Sequence, residues 1–429
     1  MCSVKEACRC LVFTLLVFLA GFRCFADGLP NENVCYDPSI KTIQVFKEGF
    51  EMSPPIIQLN STERVLLSFD DLDPDIKPYR YTIIHCESDW STSSGISASD
   101  FISGNREENI DQYTYSFNTT VKYIHYKAVF PTDNMKPKIS GNYLFLVYED
   151  DTSRVAFTAR FMVVESSPVV AAGKVVQGTR MADRNAVQQV DFTVKLNGFQ
   201  VYDVNREIRI ILQQNGRLDN ILKLSKPRFS GSGELDYRYD ESISFTGGNQ
   251  FRNFDIKSLV VPSERIAKMN YDTANQVYLL PDQPRTFKQY VFEKDLNGKF
   301  FIKNEEYADN SSIEADYAWV HFFMPYPVLN SSGDFFVLGA LTNWQMNFKS
   351  RMKFNFDRKG YEINLFLKQG YYNYIYVLKE KGKTTGDETV IEGSHWDTEN
   401  DYTIYVYFHE TGSFYDRLVS VNFLNTLQP

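Results

Sequence analysis

The apolar residues of this chain fall in short alternating runs and not in helical stripes. Val65 to Phe69, Tyr79 to Cys86, Val121 to Phe130, Asn142 to Tyr148 and Val155 to Val164 each favour β-structure, and Gly, Pro, Asn and Asp break the chain between them. Gln188 to Leu196 and Glu207 to Gln213 alternate cleanly, the pattern of a strand with one face against a core. Many short strands with frequent turns predict stacked sandwiches, so the expected fold class is all-β, with three tandem immunoglobulin-like β-sandwich domains. Polar punctuation sets the expected boundaries. Ser166-Ser167-Pro168 closes a first domain over 27–165. Asn310-Ser311-Ser312 separates a middle β-rich domain, 166–310, from a C-terminal one, 311–429. Within the middle domain Ser230-Gly231-Ser232-Gly233 reads as a flexible turn, and Asp295-Leu296-Asn297-Gly298 ends in a pair typical of hairpins.

The first residues change the compartment. Lys5 and Arg9 precede an apolar run from Leu11 to Ala20 that is too short to span a bilayer, and Cys24-Phe25-Ala26 offers small residues where a signal peptidase cuts. Residues 1–26 therefore read as a secretory signal peptide cleaved after Ala26. Phe22 and Arg23 are bulky where a lipidation signal before Cys24 needs small residues. No later stretch reads as a membrane helix. Removing the signal takes away three basic residues and one acidic one, so the formal charge of −9 becomes −11. That balance opposes a nucleic-acid partner, which needs basic patches. Of six cysteines only Cys35 and Cys86 remain, and an oxidising compartment permits one disulfide between them, closing a loop of about fifty residues. Such a bond needs Cα atoms within about 7 Å; the alternative is two separate thiols.

Catalytic chemistry finds little support. His85 and Cys86 are neighbours on a strand and face opposite sides, so they cannot form a dyad. Asp71-Leu72-Asp73-Pro74-Asp75 resembles the start of a calcium loop, but Ile76 and Thr82 stand where the helix-loop-helix pattern needs Gly and Glu, which leaves only a looser site between β-domains. No zinc motif, phosphate loop or dinucleotide fingerprint occurs. The expectation is a non-enzyme with no cofactor and no metal. The stretch from Ser244 to Asp255 stands out instead: adjacent glycines at 247 and 248 suit a tight turn, after which Phe251/Arg252 and Phe254/Asp255 set an aromatic beside a charge. It reads as a structural corner or as a contact loop.

That stretch is one of an ordered set. Phe69-Asp70-Asp71-Leu72, Tyr81 to Cys86 with Trp90, Ser140-Gly141-Asn142-Tyr143, Gln214-Asn215-Gly216-Arg217, Gly248 to Asp255, Thr398 to Tyr402 and Tyr415-Asp416-Arg417-Leu418 together resemble the plug proteins of the type IX secretion system of Bacteroidetes. The resemblance implies a periplasmic protein that closes the periplasmic end of a giant outer-membrane β-barrel translocon. Under it, Trp90, Arg217, Asn249 and Arg252 are the candidate partner contacts, since Trp and Arg are common interface anchors; the alternative is that Arg217 and Arg252 pin their own domain through a salt bridge or a carbonyl contact. It also makes Asp272-Thr273-Ala274 a candidate O-glycosylation site at Thr273. The C-terminal region, with Phe336 to Trp344, Gly360-Tyr361 and Gly370-Tyr371, is similar to early-set, glycogen-binding-like immunoglobulin modules. The second exposed Trp of such modules is absent, so Trp344 reads as a packed aromatic and carbohydrate binding as the alternative function.

Overall fold

The computed structural model describes residues 30–427 other than 225 and 307, and the expected signal segment lies outside them. Tandem β-sandwiches make up the described chain; the few helices are single turns, and none is long and apolar enough to cross a membrane.

The first sandwich closes two antiparallel layers. One runs in the order Val34–Cys35, Val155–Val164, Gly141–Glu149, Tyr79–Cys86, Glu107–Asn109, with Ile56–Gln58 parallel against Val155–Val164. The other runs Ile40–Lys47, Val65–Asp71, Ile124–Phe130, Gln112–Tyr115. Alternation fills the space between them: Phe69, Tyr81, Phe145 and Phe161 are fully buried, and the rings of Phe145 and Phe161 lie 4.5 Å apart. Rings at that distance add about 0.5–1.5 kcal/mol beyond their burial.

The second sandwich draws on two distant parts of the chain. Val170–Gln177, Val187–Lys195, Glu234–Asp236 and Phe229–Gly231 form one layer, with Ser244–Thr246 beside Val187–Lys195. The other layer is Leu222–Leu224, Ile208–Gln214, Asp401–Phe408, Arg417–Asn425. Asp401–Phe408 is central there. It pairs with Ile208–Gln214 from Ile208↔Phe408 to Gln214↔Tyr402 and buries Tyr402, Ile404 and Val406 beside Ile208, Ile210 and Leu212.

The third sandwich is inserted between those parts. Arg252–Asp255, Gly370–Glu380 and Phe300–Ile302, with Gly333–Leu338, face a layer ordered Ile266–Tyr271, Asn275–Leu279, Tyr317–Met324, Gly360–Lys368, Lys353–Asn355. Phe254, Val277, Phe322, Tyr374 and Ile391 belong to one core. These pairings divide the chain differently from the expected 166–310 and 311–429. The polar Asn310-Ser311-Ser312 is a helix start and not a linker: the Asn310 side chain accepts from the Ser312 amide and caps the Ser311–Glu314 turn inside the third sandwich. The hairpin signals also exchange places. Ser232 and Gly233, both at positive φ, join the paired strands Phe229–Gly231 and Glu234–Asp236. Asn297-Gly298 makes a turn whose flanking segments do not pair.

The insertion gives a test. A fragment of residues 250–396 should fold alone with a cooperative thermal transition. Truncation after residue 396 should abolish the unfolding transition of the second sandwich, because it deletes a central strand. Loss of only the third sandwich in that truncation, followed by fragment-specific circular dichroism, would contradict the topology.

Candidate functional site

Each pair of sandwiches meets at a polar lock, and the motifs singled out in the sequence make these locks. Between the first and second, Asp416 is fully buried and accepts from the Ser88 amide at 3.0 Å, from Arg209, and from His409 at 2.8 Å. The Asp416 amide donates to Glu87 Oε2 at 2.9 Å, and Tyr407 Oη donates to Asn142 Oδ1 at 2.8 Å. Arg417 forks onto Glu165, and Leu418, Tyr405 and Ile211 form a small apolar patch with Met162 and Val164. His85 lies behind this lock, 2.8 Å from Ser93 Oγ and 3.2 Å from the Ser140 carbonyl, edge-on to Tyr415. Burial pushes its pKa down to about 4, against smaller upward effects of the Ser140 carbonyl and Asp416. Gly141 is required beside it: at φ +143, a Cβ there would sit 2.4 Å from His85 Nε2.

Between the first and third sandwiches, Asp70 is the hub. Burial raises its pKa, and Lys368 with His125 more than reverses that, so the carboxyl stays below its ordinary range. Lys368 bonds it from the third sandwich, Tyr317 Oη donates to it at 2.6 Å, and His125 holds its other oxygen. Lys368 also donates to the Ser312 carbonyl at 2.7 Å and stands 4.1 Å over the Tyr123 ring. Asp316 accepts from the Thr120 and Val121 amides at 2.7 and 3.0 Å. In the neighbouring acidic turn, where the calcium-loop pattern fails, the carboxylates are engaged by a lysine: the Lys77 ammonium lies 3.0 Å from Asp71 and pairs with Asp73.

Between the second and third, the chain crosses twice and the crossings zip together. A Cβ on Gly247 would lie 2.0 Å from the His395 carbonyl oxygen, so only glycine lets the strands pass this closely. His395 donates its amide to the Gly248 carbonyl at 2.8 Å, and Asn400 donates to the Gly247 carbonyl at 2.8 Å. Arg217 reaches across to Glu388 at 2.7 Å and the Gly386 carbonyl at 2.9 Å, and also holds Asp219 at 2.9 Å.

The expected contact residues have mostly internal work. Arg217 is 2% exposed, and its guanidinium is saturated by the partners just named. Arg252 is buried between Glu392 at 2.9 Å and Asp282 at 3.1 Å and donates to the Gln283 carbonyl. Neither presents a charged face to a partner; their Gly- and Asn-containing runs fold inward because buried carboxylates wait there. Asn249 donates to the Glu392 carbonyl at 2.9 Å. Trp90 adopts positive φ (70°) with Arg160 4.2 Å over its ring, and it lines a cleft of about 500 Å³ at the meeting of all three sandwiches. Trp344 lines the same cleft, half-buried and edge-on to Phe251 at 6.1 Å.

Cys35 and Cys86 are free thiols. Cys35 pairs with Phe157 on the second strand of its layer, and Cys86 pairs with Asn142 on the third strand from Cys35's neighbour side. With strands about 4.8 Å apart, three spacings separate them by about 14 Å before any shift along the strands, beyond disulfide reach. Thr273 is exposed in the turn between Ile266–Tyr271 and Asn275–Leu279. An aromatic strip on the third sandwich, Tyr278 against His321 at 4.1 Å and Trp319 against Phe366 at 4.9 Å, escaped the sequence reading, because one or two rings on each of three strands carry no local signal. Lys368 escaped for the same reason. Glu87, His409 and Asp416 are near enough to share a metal ion, but Arg209 already supplies the positive charge.

A family model described as "Type 9 secretion system plug protein 1st domain" matches residues 40–165, which make up most of the first sandwich. No curated protein matches the chain. Among solved structures, a hypothetical protein from Parabacteroides merdae ATCC 43184 is similar at 32% identity and a TM-score of 0.89, over 93% of this chain and 100% of its own. An alkylpurine DNA glycosylase from Pseudomonas fluorescens overlaps 29% of this chain and 30% of its own at 14% identity and a TM-score of 0.19, too low to share a fold.

Two outcomes follow from the locks. Asp70→Asn leaves the Lys368 ammonium buried without its counter-charge, so it should cost about 3–5 kcal/mol in denaturant unfolding; a loss under 1 kcal/mol would mean the hub is not built as described. His85 gives a pH signature. Below its ordinary value near 6.5 the unfolded chain binds a proton that the folded chain refuses until about 4. Stability is therefore present above that window and lost as pH falls through it, by up to about 3 kcal/mol from this group. The stability gap between the parent and His85→Gln should narrow from pH 7 to pH 4; a constant gap would refute the assignment.

Proposed function

The chain belongs to the type 9 secretion system plug protein family, and from that membership we propose that it closes the periplasmic opening of the giant outer-membrane β-barrel translocon of the type IX pathway. An association with that secretion system follows from the family; the periplasmic location and the barrel as partner are our reading. Three sandwiches locked at every junction are the observation that supports it. A wide pore leaks unless its cover keeps its shape, and Asp416, Asp70 and Arg217 each fix one pair of sandwiches. The family and the all-β frame point to a binding role and not to catalysis. Release has to remain feasible, so the interface would be moderate in size and partly polar. Plugged and open populations would then shift only if the protein binds the two barrel states with different affinity. Thr273, on its exposed turn, would be open to glycosylation after export.

The test is a native pull-down from the protein's own host in mild detergent, with partners identified by mass spectrometry. A near-stoichiometric outer-membrane protein of very large size is expected. Recovery without any such barrel, or with polysaccharide in its place, would overturn the plug reading. Polysaccharide would favour a carbohydrate-binding protein using the Tyr278–His321 and Trp319–Phe366 strip.

A further inference from the structure

The first and third sandwiches are joined almost wholly by polar bonds. Leu418, Tyr405 and Ile211 bring an apolar cluster to the junction of the first and second, whereas no apolar cluster spans the first and third among the described residues. What crosses is one edge-on contact of the Tyr123 and Tyr317 rings, at 5.5 Å, and a set of hydrogen bonds. Tyr123 Oη donates to the Ala315 carbonyl at 2.8 Å and the Phe117 amide to the Ile313 carbonyl at 2.9 Å. Thr42 Oγ1 lies 2.6 Å from Tyr317 Oη, and Asp316 takes the Thr120 and Val121 amides. The Asp70–Lys368 pair completes the set.

That pair is balanced for one protonation state. Asp70 has three donors on its two oxygens: His125 Nδ1 on one, Lys368 Nζ and Tyr317 Oη on the other. With His125 neutral, the buried carboxylate faces a single cation. His125 is 7% exposed, and its Nε2 meets no partner among the described residues. A second proton would land on a nitrogen with no acceptor and set two buried cations against one carboxylate. The groups around the ring offer no relief. Asp70 lies opposite on Val65–Asp71, Lys368 and Tyr317 come from the third sandwich, and Lys127 stands two residues along the same strand. Thr114, opposite on Gln112–Tyr115, carries no charge, and burial holds the Tyr123 and Tyr317 phenols above their ordinary range. Burial lowers the His125 pKa, Lys368 and Lys127 lower it further, and the upward pull of Asp70 does not restore it.

We propose that the junction of the first and third sandwiches is a proton-operated hinge: protonation of His125 turns its ring out to water, Asp70 gives up Lys368 and Tyr317, and the third sandwich swings off the first while its two crossings keep it on the second. The sign follows from the burial. A closed junction refuses a proton that an open one accepts at the ordinary value near 6.5. The closed form is therefore favoured above that pH and loses ground as pH falls below it, by about tenfold for each unit down to the lowered value. The hinge does not depend on the barrel assignment.

Hydrogen exchange of the chain from residue 27 onward reads the junction through the Phe117, Thr120 and Val121 amides, which bond to the third sandwich. Rates corrected for the intrinsic effect of pH should rise about tenfold or more in residues 116–122 between about pH 7.5 and about pH 5, and stay level in Gly141–Glu149 within the first sandwich. His125→Asn sets an amide donor where Nδ1 stands and cannot take the proton, so its junction should keep the same protection at both pH values. A second measurement needs no variant: X-ray scattering by the parent should show a reversible rise in radius of gyration over that range, with an unchanged far-ultraviolet spectrum. Equal acid loss in the parent and His125→Asn would overturn the proposal. So would no loss in the parent, a loss that reaches Gly141–Glu149 to the same degree, or a constant radius of gyration.

Discussion

A buried carboxylate at each junction between sandwiches governs how the rest of this molecule is arranged. Asp416, Asp70 and Glu388 are almost or wholly out of water, and each is satisfied across a boundary: by the Ser88 amide, by Lys368, by Arg217. Apolar patches between domains tolerate sliding, because any close arrangement buries similar area. A buried charge does not, because its partners lie in one geometry only. Net stability from such pairs is small once desolvation is counted, so their main effect is on orientation. The apolar contacts at Ile211, Tyr405 and Leu418 hold the surfaces together, and the carboxylates decide where.

This explains why the sequence singled out Arg217 and Arg252, whose buried guanidinium groups are engaged inside the molecule. Runs such as Tyr415 to Leu418 and Gly248 to Asp255 stood out because unusual residues sit there in fixed order. A buried Arg facing two carboxylates and an interface Arg facing a partner look alike in a linear reading. Burial separates them, and burial is set by chain segments far away: Arg252 meets Glu392 and Arg217 meets Glu388, each more than a hundred residues off. A partner would therefore meet a surface built from residues that carried no motif, such as the fully exposed Phe287.

Strands were legible where alternation is local. Tyr79–Cys86 and Val155–Val164 have the bounds their patterns suggest, and most others shift by a residue or two. Strand partners were not legible. Nothing in Asp401–Phe408 says that it pairs with Ile208–Gln214 and not with the nearer Gly370–Glu380; both are apolar and β-branched or aromatic. The insertion was hidden for that reason, and because a helix cap at Asn310 and an interdomain linker use the same polar residues. Cys35 and Cys86 show the same limit, since distance across a sheet depends on strand order, which composition does not encode.

The two zipped crossings between the second and third sandwiches have a mechanical side. A bead strung on one linker can be peeled away by loading that linker, one bond at a time. The third sandwich hangs on two backbones that run side by side, with Gly247 pressed against His395 and Asn400 clipping the pair. Tension on it is shared between both crossings, so neither is loaded alone, and the bonds between them hold the two in step. A body joined in this way must lose two connections at once before the third sandwich parts from the second.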